Sequence, residues 1–96
     1  MRSTLAAAIA YVTIAAATVA SAEPPAGAAA CSGCHPSSAR VQSPVVRLVG
    51  RDRAEIVKAM QDFRSGARAG TVMDRIAKGF TDAEIQAIAA WYAAQR

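Results

Sequence analysis

The chain has 96 residues, of which 53% are hydrophobic, 5% aromatic and 19% charged, with two cysteines and a formal charge of +4. That length suits one domain and is too short for a Rossmann enzyme or a TIM barrel. Eleven Lys/Arg against seven Asp/Glu is a mild excess rather than the clustered basic face of a nucleic-acid binder, and no nucleic-acid partner is expected.

Residues 1–22 read as an exported protein's leader. Arg2 supplies a positive start, residues 5–20 form an uncharged apolar run, and Ala20-Ser21-Ala22 is a small-x-small cleavage site before Glu23. The competing reading is an uncleaved anchor. The run is shorter than the roughly 20 residues a spanning helix needs and is interrupted by Tyr11, Thr13 and Thr18. Cleavage is therefore expected, leaving residues 23–96 as the mature domain, with no membrane attachment. The leader takes nine of the 25 alanines with it, so the mature domain is short of apolar core and needs some other staple.

Alanines over residues 28–30 favour a helix that continues to Cys34 and stops near His35, because Pro36 disfavours helical geometry at the residue before it. Residues 37–50, with Pro44 and Gly50, read as loop. Asp52-Arg53-Ala54-Glu55 has the form of a capping box. The apolar spacing of Ile56, Val57, Met60 and Phe63 then predicts a helix with one buried face. Gly66 and Gly70 punctuate a second loop, and a short helical turn over residues 72–78 stops at Gly79. Thr81-Asp82-Ala83-Glu84 is a second capping box, opening a last helix that buries Ile85, Ile88, Ala89 and Tyr92 with Trp91 on its flank. No alternating strand pattern is present, so the expected class is all-α, with three or four short helices.

The chemistry lies in Cys31-Ser32-Gly33-Cys34-His35, a Cys-x-x-Cys-His run that is the signature of haem attachment. Cysteines three apart share one helical face, so their sulfurs can add to the two vinyl groups of a haem, and the adjacent His35 can reach the iron from the same side. Export fits, since such attachment occurs on the oxidising side of a membrane. Three other readings compete. These are a Cys31–Cys34 disulfide, a redox pair that would need strand-helix-strand surroundings, and a zinc site, for which the motif offers only three ligands. His35 is the only histidine, so a second axial ligand within the chain falls to methionine. Met60 lies on the apolar face of its helix, where core packing accounts for it. Met73 follows the Gly66–Gly70 loop, where a side chain can be presented to a haem, and is preferred. A His/Met pair suits electron transfer and leaves no open iron position.

Beyond the motif, the chain resembles a class I c-type cytochrome. Phe63-Arg64-Ser65-Gly66-Ala67-Arg68, followed by Thr71-Val72-Met73-Asp74-Arg75-Ile76-Ala77-Lys78-Gly79-Phe80, is similar to the haem subunit of flavocytochrome c sulfide dehydrogenase. The close match covers about a third of the chain, within residues 63–95. The resemblance implies a small class I cytochrome c fold of three to four short helices wrapped around one covalent haem c. It also implies Met73 as the sixth iron ligand. It further implies a periplasmic electron-transfer subunit that takes electrons from an FAD-containing sulfide dehydrogenase flavoprotein and passes them to a soluble acceptor cytochrome. A free-standing monohaem carrier shares every ligand, and a haem sensor or peroxidase-like enzyme follows if Met73 is not a ligand. Members of the class carry an aromatic residue in the first helix that packs on the last. Here that segment is Ala26-Gly27-Ala28-Ala29-Ala30, and a different or looser contact is expected. Pro44 is expected to hold the loop that brings a backbone carbonyl to the His35 ring. Arg47, Arg51, Arg53, Arg64, Arg68 and Arg75 are expected to be mostly solvated, with one or two near a haem propionate.

Overall fold

A computed structural model describes residues 23–96, so the leader expected over residues 1–22 lies outside the described residues. Within them the chain forms α1 (Ala28–Cys31), α2 (Arg53–Ser65), α3 (Met73–Ile76), a 3-10 turn (Ala77–Gly79) and α4 (Asp82–Ala94). No strand occurs among the described residues, as the all-α expectation requires.

The two long helices start where their caps dictate. Asp52 Oδ1 accepts the Ala54 and Glu55 amides at 2.9 and 3.2 Å, satisfying two donors that a helix start leaves unpaired. Glu55 does not close the box expected there; its carboxylate faces Arg51 at 3.9 Å. The box at α4 is complete, with Thr81 Oγ1 accepting the Glu84 amide at 3.2 Å and Glu84 Oε1 accepting the Thr81 amide at 3.1 Å. Helix α2 ends at Gly66 in the left-handed region (φ 84°), a conformation that favours glycine.

Helices α2 and α4 pack together, and α3 with its 3-10 turn packs on α2. The core is Ile56 and Val57 from α2 with Ile85, Ile88, Ala89 and Tyr92 from α4, so the whole expected stripe of α4 is buried. Met60 and Phe63, at the far end of the α2 stripe, are only half-buried. The Arg64 guanidinium ties the pair further, donating to the Phe80 carbonyl at 3.0 Å and to the Asp82 carboxylate.

The first helix is shorter than its alanines suggest. It ends at Cys31, and residues 32–35 continue as turns, with the Cys34 and His35 amides both bonded to the Cys31 carbonyl. Three causes act together: Ser32 Oγ returns to the Ala29 carbonyl at 2.6 Å, Gly33 is a poor helix former, and Pro36 follows.

The contact between first and last helices is tight rather than loose. Ala28 is fully buried, and the Tyr92 hydroxyl donates to its carbonyl at 2.5 Å. Gly27 (φ 86°) admits the Phe80 ring so closely that a Cβ there would lie 2.5 Å from it. The aromatic residues come from the C-terminal half, and the first helix supplies the small surface that receives them.

Candidate functional site

Between α1, the loop after it, α2 and α3 lies a largely apolar cavity of about 940 Å³, at the large end of ligand sites, roughly 300–1,000 Å³. All four residues singled out from the sequence, Cys31, Cys34, His35 and Met73, line it. Sequence separations of up to 42 positions are thereby brought to one place, and the cavity is lined on its helical side by Ile56, Phe80, Ile85 and Ile88.

The His35 ring is held by its Nδ1, which donates to the Val46 carbonyl at 2.5 Å. A carbonyl can only accept, so the proton resides on Nδ1 and the Nε2 lone pair is free to bind a metal. Such an outer hydrogen bond fixes the ring's orientation and raises the basicity of the other nitrogen. The loop carbonyl expected near Pro44 therefore belongs to Val46, two residues on, while Pro44 lines the cavity beside it.

The cysteines are unlike each other. Cys31 is half-buried, its Sγ lies 3.5 Å from the Gly27 carbonyl, and burial pushes its thiol pKa up. Cys34 is exposed. Among the described residues no group of three or more His, Cys, Asp or Glu side chains is arranged to hold a metal ion.

Both methionines reach the cavity, so lining alone does not separate them. Their surroundings differ. Met60 packs against the hydrophobic core, as its place on the α2 stripe predicts. Met73 is the first residue of α3, delivered by a loop in which Gly70 passes close under Phe63; a Cβ at Gly70 would lie 2.9 Å from that ring.

Sequence reasoning missed two members of the site. The Val46 carbonyl carries no sequence signal, since any residue supplies a carbonyl. Phe80 had one: it precedes the Thr81 cap, and Ile85 is the fourth residue of α4, the spacing of a hydrophobic staple. Two of the six arginines are taken up in joining helices, Arg64 as above and Arg53 through Gln86 Oε1 at 2.9 Å.

Two thiols one turn apart, an oriented imidazole with a free nitrogen and a thioether, all on one apolar cavity of this size, form a donor set that fits a haem. Among the described residues no helix is long and apolar enough to cross a membrane.

No family model matches the chain. Among curated proteins it is similar to the cytochrome subunit of sulfide dehydrogenase of Chlorobaculum tepidum, 39% identical over 62 residues that make up 65% of this chain and 56% of that protein. It is 36% identical over 62 residues to cytochrome c-552 of Acidithiobacillus ferridurans, covering 65% of this chain and 27% of that one. It is 40% identical over 65 residues to the thiosulfate dehydrogenase electron acceptor of Stutzerimonas stutzeri, covering 66% and 30%. The chain thus spans little more than half the length of the first relative and less than a third of the other two.

Proposed function

We propose that this chain, a c-type cytochrome, carries one covalently attached haem c and works in the periplasm as the electron-accepting subunit of a sulfide-oxidising dehydrogenase. In this reading residues 1–22 are a cleaved export signal and residues 23–96 are the monohaem domain. Cys31 and Cys34 would hold the haem through thioethers, and His35 and Met73 would ligate its iron. The FAD-containing flavoprotein subunit is the electron donor and a soluble cytochrome the acceptor. The observation that carries the reading is the convergence of Cys31, Cys34, His35 and Met73 on one apolar cavity.

The haem supplies reversible one-electron exchange at its iron. The chain's own residues keep that exchange fast and selective. The Val46 carbonyl holds the His35 ring in one orientation, and the loop through Gly70 fixes where Met73 is presented. His35 and Met73 held in place by the chain would keep reorganisation small and would leave no position at the iron for a substrate. The surrounding apolar side chains lower the local dielectric and shield the site from water.

Val46, Val72 and Ile76 line the cavity with 48, 50 and 39% of their surface exposed, and Val41 nearby in sequence is 55% exposed. A haem seated in the cavity would cover the three lining side chains. The first relative is named as a subunit of sulfide dehydrogenase. The name of another, a thiosulfate dehydrogenase electron acceptor, favours a second reading, a free-standing monohaem carrier serving a different dehydrogenase.

The test is a pair of variants made in cells competent for haem attachment. Met73→Ala is expected to abolish the methionine-to-iron charge-transfer band, and Met60→Leu to leave it. A band unchanged in Met73→Ala overturns the ligand assignment. Co-purification of the native chain with a larger FAD protein separates the two readings: its presence supports the subunit, and a freely monomeric holoprotein supports the carrier.

A further inference from the structure

The apolar cavity has one charged edge. Among the described residues three cations line it, Arg51, Lys58 and Arg68, together with two acids, Glu55 and Asp62. Lys58 is committed to Asp62 at 2.6 Å. Arg51 faces Glu55 at 3.9 Å and donates Nε to the Arg47 carbonyl at 3.3 Å. Each acid therefore already faces a cation.

Arg68 differs from both. Its guanidinium lies 4.9 Å above the centre of the Phe63 ring, and its backbone amide is anchored to the Asp62 carbonyl at 3.1 Å. Phe63 is in turn pressed against the Gly70 backbone. Among the described residues Arg68 has no carboxylate within ion-pair distance and no partner for its guanidinium N–H groups. A guanidinium held over a ring face keeps its N–H groups available, five donors in a rigid fork. That edge matches one chemistry above others, a planar carboxylate taken in bidentate fashion.

We propose that Arg68 binds a propionate carboxylate of the haem, with Phe63 and Gly70 as the platform that aims it. The proposal rests on the haem reading above and names which of the six arginines serves the propionate. The others are distinguished by position: Arg64 and Arg53 join helices, Arg51 is shared with Glu55, and Arg47 and Arg75 do not line the cavity.

The experiment uses the full-length holoprotein and three variants, Arg68→Gln, Arg68→Lys and Arg40→Gln, the last an exposed arginine off the cavity. Redox potentiometry and the infrared carboxylate stretches of the propionates are the readouts. A nearby positive charge disfavours the ferric state, so at a fixed ambient potential Arg68→Gln is expected to lower the reduced-to-oxidised ratio about threefold or more, with displaced carboxylate bands. Arg68→Lys keeps the charge and the stem. It is expected to hold the ratio within about twofold while losing the bidentate band pattern, and it decides the matter if the glutamine variant fails to assemble. A structural stack alone would move neither readout beyond Arg40→Gln. Arg68→Gln and Arg68→Lys both matching Arg40→Gln in ratio and bands overturns the proposal. A native chain whose mass shows no covalent haem overturns the underlying reading instead.

Discussion

Residues 23–50 and residues 51–96 are built on different principles. The second segment holds α2 and α4, each thirteen residues long, each opened by a side-chain cap, with the core packed between them. The first holds one four-residue helix and a long loop, and Ala28 is its only buried residue. A single helical turn does not stand alone in water. What holds this limb to the helix pair is a small number of contacts: the Tyr92 hydroxyl on the Ala28 carbonyl, the Gly50 amide on the Tyr92 carbonyl at 3.0 Å, and Leu48 and Val49 packed on the core. Yet the limb carries three of the four residues proposed to bind the cofactor. The half that folds from its own sequence supplies the scaffold, and the half that depends on others supplies the chemistry.

The largest break in that contrast comes from removing the proposed staple. Replacing Cys31 and Cys34 together by Ala is expected to abolish covalent haem and to lower the thermal midpoint by more than about 10 °C, since each kcal/mol lost moves a domain of this size by roughly 4–8 °C. Amide exchange should accelerate first at Gly33, Cys34 and His35, with the α2–α4 core the last to open. Uniform exchange across both segments would show that the limb and the helix pair are one cooperative unit.

A smaller effect tests the hinge between them. Tyr92→Phe keeps the packed ring but leaves the buried Ala28 carbonyl without its donor, a cost of about 1–2 kcal/mol. Calorimetry should register a fall of roughly 5–10 °C, with faster exchange concentrated in residues 28–35. A change under about 2 °C would mean that the limb does not lean on this bond.

Legibility in the sequence divides along the same line. The helices of the second segment were readable because their determinants are local: Asp52 and Thr81 as caps, Gly66 as a stop, and an apolar period that all four stripe residues of α4 obey. The motif and Met73 were readable as residue types, because the proposed chemistry needs thiols, an imidazole and a thioether. The first segment was less readable because its shape is set from elsewhere. The fit of Phe80 over Gly27, the Tyr92 hydroxyl on Ala28 and the choice of Val46 as the carbonyl for His35 all rest on contacts 11 to 64 positions apart in sequence, and no periodicity encodes them. The Asp52 box is half made: Asp52 takes its two amides, while the Glu55 carboxylate faces Arg51 at 3.9 Å.

The smallest expected effect checks that the scaffold can be weakened without touching the site. Thr81→Ala removes the oxygen that accepts the Glu84 amide and the hydroxyl that meets Glu84 Oε1 at 2.9 Å, so α4 loses one half of its capping box. The cost for such a cap is about 1 kcal/mol, a fall of roughly 4–8 °C in midpoint. Because Phe80 still packs against the core, the register of α4 should survive, and with it the position of Tyr92. The visible spectrum and the reduction potential of the holoprotein should therefore match the native protein while exchange rises in the first turn of α4 alone. A shifted potential in Thr81→Ala would mean that the start of α4 transmits strain through Phe80 to the cavity, and the division between scaffold and chemistry would have to be redrawn at residue 80.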